Sequence, residues 1–400
     1  MKDDVSKVGI FMPTTAVVRA VAAGKNIISS ISVRDRLIKS CIANDIKRII
    51  VIVRAAEIKP PHIDHANEKT AIVEYIDETA QISINEREDT VYLEDGFLIH
   101  PALLRDFLHS NAKILKDPAS GKNIFARGNL TGQGRIYSAT ESFAADPSHF
   151  IEINNDNIRE ARSKLFKWLG KETDGYISKV LNRPLSTFFS RFFADYPIHP
   201  AYFTAVTALI ALLMTYVLLF GGEPGILWGC VLFHVASVVD GIDGEIARSK
   251  FQASLKGAKI DTTIDMITNI LFMAAMSYAL WNIYGNEYLI LGIYVVVLAL
   301  LGILLMTSLL YFGPGGGRFD ILSQTIRLRF THKPRLLKIF NFCNYFLKRD
   351  AFAFIFAVYG VTGLARYIPE FLIFGLVIWN LAIILNAPSI LRAKPVTSEI

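Results

Sequence analysis

The sequence predicts an α/β domain with a mainly parallel sheet, fused to an all-α transmembrane domain of six helices. Lys, Arg, Asp and Glu make up 49 of the first 180 residues but only 29 of the last 220. Before this change short apolar runs alternate with helical patterns, which is typical of parallel sheets. After it, long uncharged runs follow one another, as in membrane proteins. These features exclude a wholly soluble enzyme and a disordered chain, and three scattered cysteines exclude a disulfide scaffold.

The α/β domain is predicted over residues 1–170. Its short apolar runs are rich in Val and Ile, as buried strands are. The acidic pair Glu94-Asp95 and Gly96 follow the third run, and Pro101 begins a helix. The predicted elements are strands at 8–12, 49–53 and 91–93 and helices at 31–45 and 102–109.

A linker with an amphipathic helix is predicted over residues 171–200. Between 178 and 196 the apolar Phe188 and Phe192 alternate with the basic Arg183 and Arg191. Such a helix lies in the membrane interface, with the apolar face towards the acyl chains. The basic stretch 318–349 predicts either a second interfacial helix or a linker attracted to the leaflet.

The transmembrane domain is predicted over residues 201–394. A spanning helix needs about 20 apolar residues. The uncharged runs predict spans at 201–220, 224–239, 266–286, 288–317, 351–365 and 371–391.

The basic residues between the spans predict the orientation in the membrane. They gather at 248–259, at 318–349 and after 391, whereas the opposite turns hold only Arg366 as a cation. By the positive-inside rule, the N-terminal domain, the active site and the C-terminus face the cytoplasm from an inner or plasma membrane. The formal charge of +6 suits anionic lipid headgroups rather than nucleic acid.

Four aspartates inside the apolar region are the candidate functional residues, because ionised groups at membrane depth are expensive. Asp240 and Asp243 stand at i, i+3, and Asp261 and Asp265 stand at i, i+4. Each pair therefore shares one helix face. Hard carboxylate oxygens suit Mg²⁺, Mn²⁺ or Ca²⁺, and two such ions would orient a phosphate. The pattern predicts a metal-dependent site for a phosphate or diphosphate ester.

The neighbours of the aspartates favour a ligand site. Gly244 and Gly257 let a ligand approach the backbone, and Arg248 can pair with a phosphate. The alternative is that Arg248, Lys250 and Lys259 merely neutralise the acids.

Residues 240–265 resemble the signature of the CDP-alcohol phosphotransferases, also called CDP-alcohol phosphatidyltransferases. The segment reads Asp240-x2-Asp243-Gly244-x2-Ala247-Arg248-x8-Gly257-x3-Asp261-x3-Asp265, which matches eight fixed positions. The resemblance implies displacement of CMP from a CDP-alcohol, usually CDP-diacylglycerol, by an acceptor hydroxyl in phospholipid synthesis. It also implies a homodimer and two Mg²⁺ or Mn²⁺ ions. The implied roles are metal binding by Asp240, Asp243, Asp261 and Asp265, general-base catalysis by Asp265, and CDP binding by Gly244, Ala247, Arg248 and Gly257.

Two further features bear on the substrates. Family members usually carry Pro-Asn before the first span, and here Pro197 is followed by Ile198 and His199. Arg349-Asp350 resembles relatives that handle phosphorylated headgroups. Together with the type of N-terminal domain described below, the basic residues at 348–349 make inositol phosphate the expected acceptor, with the alternative that these cations are positive-inside anchors. The residues expected to bind it are Arg349, Lys348 and Arg318.

The N-terminal domain resembles the sugar-phosphate nucleotidyltransferases in its helix-then-strand order and its acid-glycine pair. A nucleotidyltransferase needs a glycine-rich basic loop after its first strand. The predicted strand at 8–12 has no glycine after it until Gly24, which Lys25 follows. We therefore expect a degenerate relative without catalysis of its own.

Three alternatives to the lipid transferase remain open. A divalent-cation transporter would use the same aspartates, but the spans 201–220 and 371–391 carry no ionisable side chain. A transferase with a soluble CDP-alcohol donor fits the same residues. A catalytically dead scaffold is disfavoured because every signature position is filled.

Overall fold

The computed structural model describes residues 13–80, 90–110, 114–128, 142–170, 174–312, 322, 325–326, 335 and 348–392. These residues fall into two compact units. The first comprises Met1–Gly170, Ser190–His199 and Glu245–Ser254, and the second comprises Lys171–Phe189, Pro200–Gly244 and Leu255–Ile400. The predicted strand at 8–12 and nearly all of the basic stretch 318–349 lie outside the described residues.

The first unit is built on an eight-stranded sheet. Ile49, Val51 and Val91 are fully buried in it, because Val- and Ile-rich strands pack well on a pleated surface. Two two-stranded sheets, β2–β3 and β8–β12, accompany it, and the order in the main sheet is β11-β9-β10-β7-β1-β4-β6-β5. The strands are β1 Thr15–Arg19, β2 Ile27–Ile28, β3 Ile31–Ser32, β4 Arg48–Val53, β5 His62–Ala66, β6 Lys69–Asp77, β7 Thr90–Glu94, β8 Phe97–Ile99, β9 Ile114–Lys116, β10 Asn123–Gly128, β11 Ser142–Ala144 and β12 Phe150–Glu152.

The sheet is mixed, which corrects the expectation of a mainly parallel one. The central strands β7, β1, β4 and β6 run parallel, as strand–helix alternation predicts. Antiparallel pairs flank them, formed by β5 with β6 and by β10 with both β7 and β9. The β5–β6 pair is a tight hairpin whose turn residues Asn67 and Glu68 have φ of 49° and 68°. Positive φ at both positions is what a two-residue hairpin turn requires.

The described part of the first unit also contains the helices α1 Val33–Ala43, α2 Pro101–Leu108 and α3 Ile158–Trp168. Helices α1 and α2 contribute to the main core, whereas α3 packs in a separate cluster with Ile28 and Leu98. Helix α1 begins at a capping interaction in which the Ser32 hydroxyl oxygen accepts from the Asp35 backbone N–H at 3.0 Å. Its buried residues Leu37, Ile38 and Cys41 join the main core. The predicted helices at 31–45 and 102–109 are thus present within one or two residues.

The second unit is helical. The connecting region predicted as amphipathic contains a π-helical turn at Ser178–Asn182 and helix α4, Arg183–Phe193. Glycines with positive φ follow two of the helices, Gly285 at 98° after α7 and Gly363 at 75° after α9, a conformation that only a residue without Cβ adopts easily. The remaining helices are α5 Ala201–Phe220, α6 Gly222–Ser249, α7 Leu255–Tyr284, α8 Asn286–Phe312, α9 Arg349–Val361 and α10 Ile368–Arg392.

Five helices in the described part of the chain are long and apolar enough to cross a membrane. They correspond to the predicted spans at 201–220, 224–239, 266–286, 288–317 and 371–391. The predicted span at 351–365 is the 13-residue helix α9. At 1.5 Å per residue α9 is about 20 Å long, shorter than the ~30 Å hydrocarbon core. The count of six spans therefore stays a prediction.

Helix α4 exposes an apolar surface, as an interfacial helix needs. Leu185, Phe188 and Phe189 are 43%, 69% and 44% exposed. Its first residue, Arg183, does not belong to an open basic face, because its Nε donates to Asp174 at 2.8 Å.

Candidate active site

A stack of aromatic rings holds together the three helices that carry the charged site residues. Phe233 of α6 stacks on Phe272 of α7 with centroids 4.1 Å apart, and Phe272 stacks on Phe356 of α9 at 5.5 Å. All three rings are fully buried. Phe233 precedes Asp240 by seven residues, and Phe272 and Phe356 follow Asp265 and Arg349 by seven. Seven residues are close to two helical turns, so each ring shares a helix face with a charged residue.

The aspartates predicted from the signature converge in the second unit. Asp240, Asp261 and Asp265 each offer a carboxylate oxygen, and these three oxygens lie within 4.8 Å of one another. Asp243 lies beside Asp261, and Asp265 lies beside Asp240. The i, i+3 and i, i+4 spacings place each pair on one helix face, and the two faces meet at this cluster.

The donor set fits a divalent cation. Oδ1 of Asp261 is buried and, among the described residues, has no hydrogen-bond partner. A buried carboxylate oxygen without a partner is costly unless a cation binds it. Carboxylates crowded this closely repel each other, and Mg²⁺ or Mn²⁺ prefer such hard oxygen ligands. Asp240, Asp261 and Asp265 are the residues that would hold the metal in this cluster, and metal binding by Asp243 stays a prediction.

Thr204 is a site residue that the sequence reasoning missed. It lies buried on the first turn of α5, and its Oγ1 donates to Oδ2 of Asp243 at 2.6 Å. This bond fixes the orientation of a carboxylate that is itself buried. A hydroxyl in the uncharged run 201–220 was the available signal, but the sequence does not show which of its threonines faces α6.

Arg349 lies against the aspartates. Its Nη1 donates to Oδ1 of Asp265 and is 3.4 Å from Oδ1 of Asp240. Its Nε and Nη2 are buried without a partner in the described part of the chain. The sequence predicted Arg349 as an acceptor-binding residue, and the structure places it directly beside the predicted base. A guanidinium with two unused donors next to the acids is well suited to bind a phosphate.

The other predicted acceptor residues are less defined. Lys348 is half-buried and directly precedes α9. Its side chain lies close to the Gly175 backbone, because a Cβ added at Gly175 would be 3.1 Å from Cδ of Lys348. Arg318 lies outside the described residues.

The four residues predicted to bind CDP are divided between the two units. Gly244, directly after Asp243, and Gly257, exposed on the first turn of α7, belong to the second unit. Ala247 and Arg248 belong to the first unit, where Nε of Arg248 donates to the carbonyl oxygen of Leu169 at 3.1 Å. Their nucleotide-binding role stays a prediction.

An apolar cavity of about 320 Å³ lies beside the carboxylate cluster. Arg349 lines it together with Met266, the residue after Asp265. The other lining residues are Asn269, Ile270, Met273, Ala299, Ile303, Phe352, Phe371, Leu372, Gly375, Leu376 and Trp379. The cavity is suited to an apolar chain with a charged end.

In the first unit, the carboxylate of the acid-glycine pair, Asp95, already accepts hydrogen bonds from other residues. Asp95 is completely buried, with Oδ1 accepting from the Val21 backbone N–H at 2.6 Å and Oδ2 accepting from Arg34. Burial raises the pKa of Asp95, and the bond from Arg34 opposes this. Glu57 pairs with both Lys25 and Arg34, and these bonds lower the pKa of Glu57. The four residues Lys25, Glu57, Arg34 and Asp95 therefore form a chain of ion pairs.

The loop before this ion-pair chain differs from the expected one. The first described strand ends at Arg19, and a short 3-10 helix, Ala22–Lys25, follows it. Gly24 therefore comes five residues after a strand. A Cβ at Gly24 would lie 2.2 Å from Asp95, so the glycine permits the close approach of that carboxylate.

Residues 198–315 match a family model described as CDP-alcohol phosphatidyltransferase. Curated relatives named "Bifunctional IPC transferase and DIPP synthase" are similar to part of the chain. The Thermococcus kodakarensis protein is 31% identical over 128 residues, which are 32% of this chain and 28% of the relative. The Aquifex aeolicus protein is 31% identical over 123 residues, 30% of this chain and 28% of the relative. The Rubrobacter xylanophilus protein is 29% identical over 155 residues, 39% and 34% of the two chains. The similarity thus spans about a third or less of each relative's length.

Proposed function

We propose that the chain is a membrane-embedded transferase, because residues 198–315 match a family model described as CDP-alcohol phosphatidyltransferase. In the proposed reaction an acceptor hydroxyl attacks the diphosphate of a CDP-alcohol, a phosphodiester forms and CMP leaves. The observation that carries the proposal is the convergence of three carboxylate oxygens within 4.8 Å at the signature positions.

The aspartates divide the work between metal binding and proton transfer. Asp240, Asp243, Asp261 and Asp265 would hold two Mg²⁺ or Mn²⁺ ions, which would stabilise negative charge on the diphosphate and on CMP. Asp265 also accepts the proton of the acceptor hydroxyl. Gly244, Ala247, Arg248 and Gly257 bind the CDP moiety; their support is the signature match.

The donor we propose is CDP-diacylglycerol. The apolar cavity beside Arg349 and Met266 supports a lipid substrate, because it offers an acyl chain a dry environment next to the carboxylates. The proposed acceptor is inositol phosphate. Nε and Nη2 of Arg349 have no partner among the described residues, which supports a phosphate ligand, and Lys348 and Arg318 are the proposed additional cations.

The arrangement in the membrane is part of the same proposal. Six spans place both termini and the aspartates on the cytoplasmic side, supported by the side on which Lys and Arg gather. The protein acts as a homodimer, as the family resemblance implies. The first unit performs no nucleotidyl transfer, since Asp95 already binds Arg34 and the Val21 N–H and is not available to a metal.

The test is CMP release by the purified full-length chain in detergent with Mg²⁺ or Mn²⁺. CDP-diacylglycerol and a soluble CDP-alcohol serve as donors, each with inositol phosphate, glycerol phosphate, inositol or serine. We expect metal-dependent CMP release from the lipid donor with inositol phosphate. Release only from the soluble donor would refute the lipid assignment. No release with any pair, combined with Mn²⁺ uptake into proteoliposomes, would favour the transporter.

A further inference from the structure

The segment Glu245–Ser254, which connects α6 to α7, is bound into the first unit by residues from several of its elements. Arg36 of α1 donates from Nη1 to the carbonyl oxygen of Ser249 at 2.6 Å. The backbone N–H of Asn67, in the β5–β6 turn, donates to the carbonyl oxygen of Phe251 at 3.1 Å. Nζ of Lys250 donates to the carbonyl oxygen of Tyr196 at 2.5 Å. The segment carries Ala247 and Arg248 of the signature, so its position bears on the proposed reaction.

Arg36 is a charged residue in the interior of the first unit, where apolar side chains are usual. Its side chain is buried, and Nε and Nη2 both donate to the carbonyl oxygen of Ile28, at 3.1 and 2.6 Å. Within the described part of the chain no carboxylate lies within ion-pair distance of it, and burial lowers the pKa of Arg36 to about 9. Burying a cation without an acid is costly. An apolar residue would fill the same space, but it would not satisfy these carbonyl oxygens.

The carbonyl oxygen that Arg36 reaches belongs to the last residue of α6. The final carbonyls of a helix lack partners within the helix, and a cation there also complements the helix dipole. Arg36 therefore caps, from another part of the chain, the helix on which Asp240 and Asp243 lie. Rotation or fraying of the last turn of α6 would move Arg248.

The backbone just after α6 gives an independent sign of the same attachment. Gln252 N–H donates to the carbonyl oxygen of Ala247 at 2.8 Å, and Phe251 N–H to that of Arg248 at 3.4 Å. This is the helix-ending pattern in which glycine usually occupies the left-handed position. Here Phe251 occupies it, with φ of 55°. A bulky residue in that conformation is strained, and its ring packs against the main core of the first unit.

We propose that Arg36 is a positioning residue for the transferase reaction: by holding Ser249, with Phe251 anchored beside it, the first unit fixes the Glu245–Ser254 segment for nucleotide binding. The first unit is thereby required for the transferase reaction, although it catalyses no reaction of its own. This inference rests on the proposed function for its catalytic consequence, whereas the attachment itself stands on the contacts above.

The test compares Arg36→Met, Arg36→Lys and Phe251→Gly with a matched control, Arg48→Met, in the full-length protein. Arg48 lies in the same unit, where it pairs with Glu74 at the surface. Hydrogen exchange of the amides at 245–254 should become about tenfold faster in Arg36→Met, which loses a bond from a charged group, and in Phe251→Gly, which loses a partly buried ring. Arg36→Lys should restore part of the protection, and Arg48→Met should match the wild type. Unchanged exchange in both Arg36→Met and Phe251→Gly would overturn the proposal.

Steady-state kinetics of the same variants distinguish a positioning role of Arg36 from a role in stability alone. The KM for the CDP-alcohol should rise about tenfold in Arg36→Met and Phe251→Gly, while kcat changes less than about twofold. A lower thermal midpoint with an unchanged KM would show a purely structural role and refute the positioning role. If the wild type itself releases no CMP, the proposed function fails, and the exchange measurement still decides whether Arg36 holds the segment. If Arg36→Met does not fold, Phe251→Gly supplies both readouts, because glycine relieves the backbone strain while removing the ring.

Discussion

Replacing Thr204 with valine should weaken metal binding without disturbing the helix that carries it. Valine has nearly the same shape as threonine but lacks the hydroxyl that donates to Oδ2 of Asp243 at 2.6 Å. Both residues are buried, so water does not readily replace the lost bond. The Asp243 carboxylate is then free to rotate away from the position that a metal needs.

The expected size of the effect follows from the geometry. A buried bond from a neutral donor to a carboxylate contributes about 1.5–3 kcal/mol. Loss of a residue that orients a metal ligand typically lowers metal affinity about 10- to 100-fold, or about 1.4–2.7 kcal/mol. We therefore expect the Mn²⁺ dissociation constant of Thr204→Val, measured by titration of the free-ion electron paramagnetic resonance signal, to rise by that factor.

Thr207→Val is the matched control for this experiment. Thr207 lies on the same helix and is fully buried, but its Oγ1 donates to the carbonyl oxygen of Phe203 in its own helix, at 3.1 Å. Its replacement removes a buried hydroxyl without touching an aspartate. Equal Mn²⁺ affinities for the two variants would refute the assignment of Thr204 as a support for the metal ligands.

Three further predictions concern the two units. Gly24→Ala should lower the free energy of unfolding of the first unit by about 1–3 kcal/mol, because the new Cβ would overlap the Asp95 carboxylate. A circular-dichroism melt measures this, and an unchanged midpoint would contradict the packing described. Gly302→Ala should destabilise the second unit similarly, since its Cβ would lie 2.3 Å from the Trp379 ring; unchanged thermal stability in detergent would show that α8 and α10 are not that close. Cys41 should resist maleimide at pH 8 in the native protein and react after denaturation, because burial raises the pKa of its thiol to about 12; native labelling detected by mass spectrometry would contradict its burial.

The carboxylate cluster could be predicted from the sequence because it depends on the spacing of aspartates that are close together in the chain. Helical spacing places Asp240 with Asp243, and Asp261 with Asp265, and the expense of acids in an apolar run marks them as functional. The contacts of Thr204 and Arg349 were not predictable in this way. They depend on which faces of α5 and α9 pack against α6 and α7, and the apolar pattern of a membrane helix does not encode that.

In the first unit, the alternation of strands and helices predicted the parallel pairing at the centre of the sheet. It did not predict the antiparallel pairs that flank this centre. Short apolar runs do not distinguish a parallel strand from a hairpin strand, so β5 and β10 gave no signal. The strand at Thr15–Arg19 was overlooked, which made Gly24 seem far from a strand. The burial of Arg36 had no signal in the sequence, since its partner Ser249 lies 213 positions away.

The most direct test of the account is metal-dependent CMP release by Asp261→Asn beside the wild type. Asparagine keeps the shape of the side chain but removes the negative charge from the residue whose buried Oδ1 has no partner in the described part of the chain. Asp195→Asn, which removes an acid that pairs with Arg162 in the first unit, serves as the control. The account predicts that Asp261→Asn folds, elutes as the wild type does and releases no CMP with Mg²⁺ or Mn²⁺, while the control stays active. CMP release by Asp261→Asn at the wild-type rate would contradict the claim that these aspartates hold the catalytic metal.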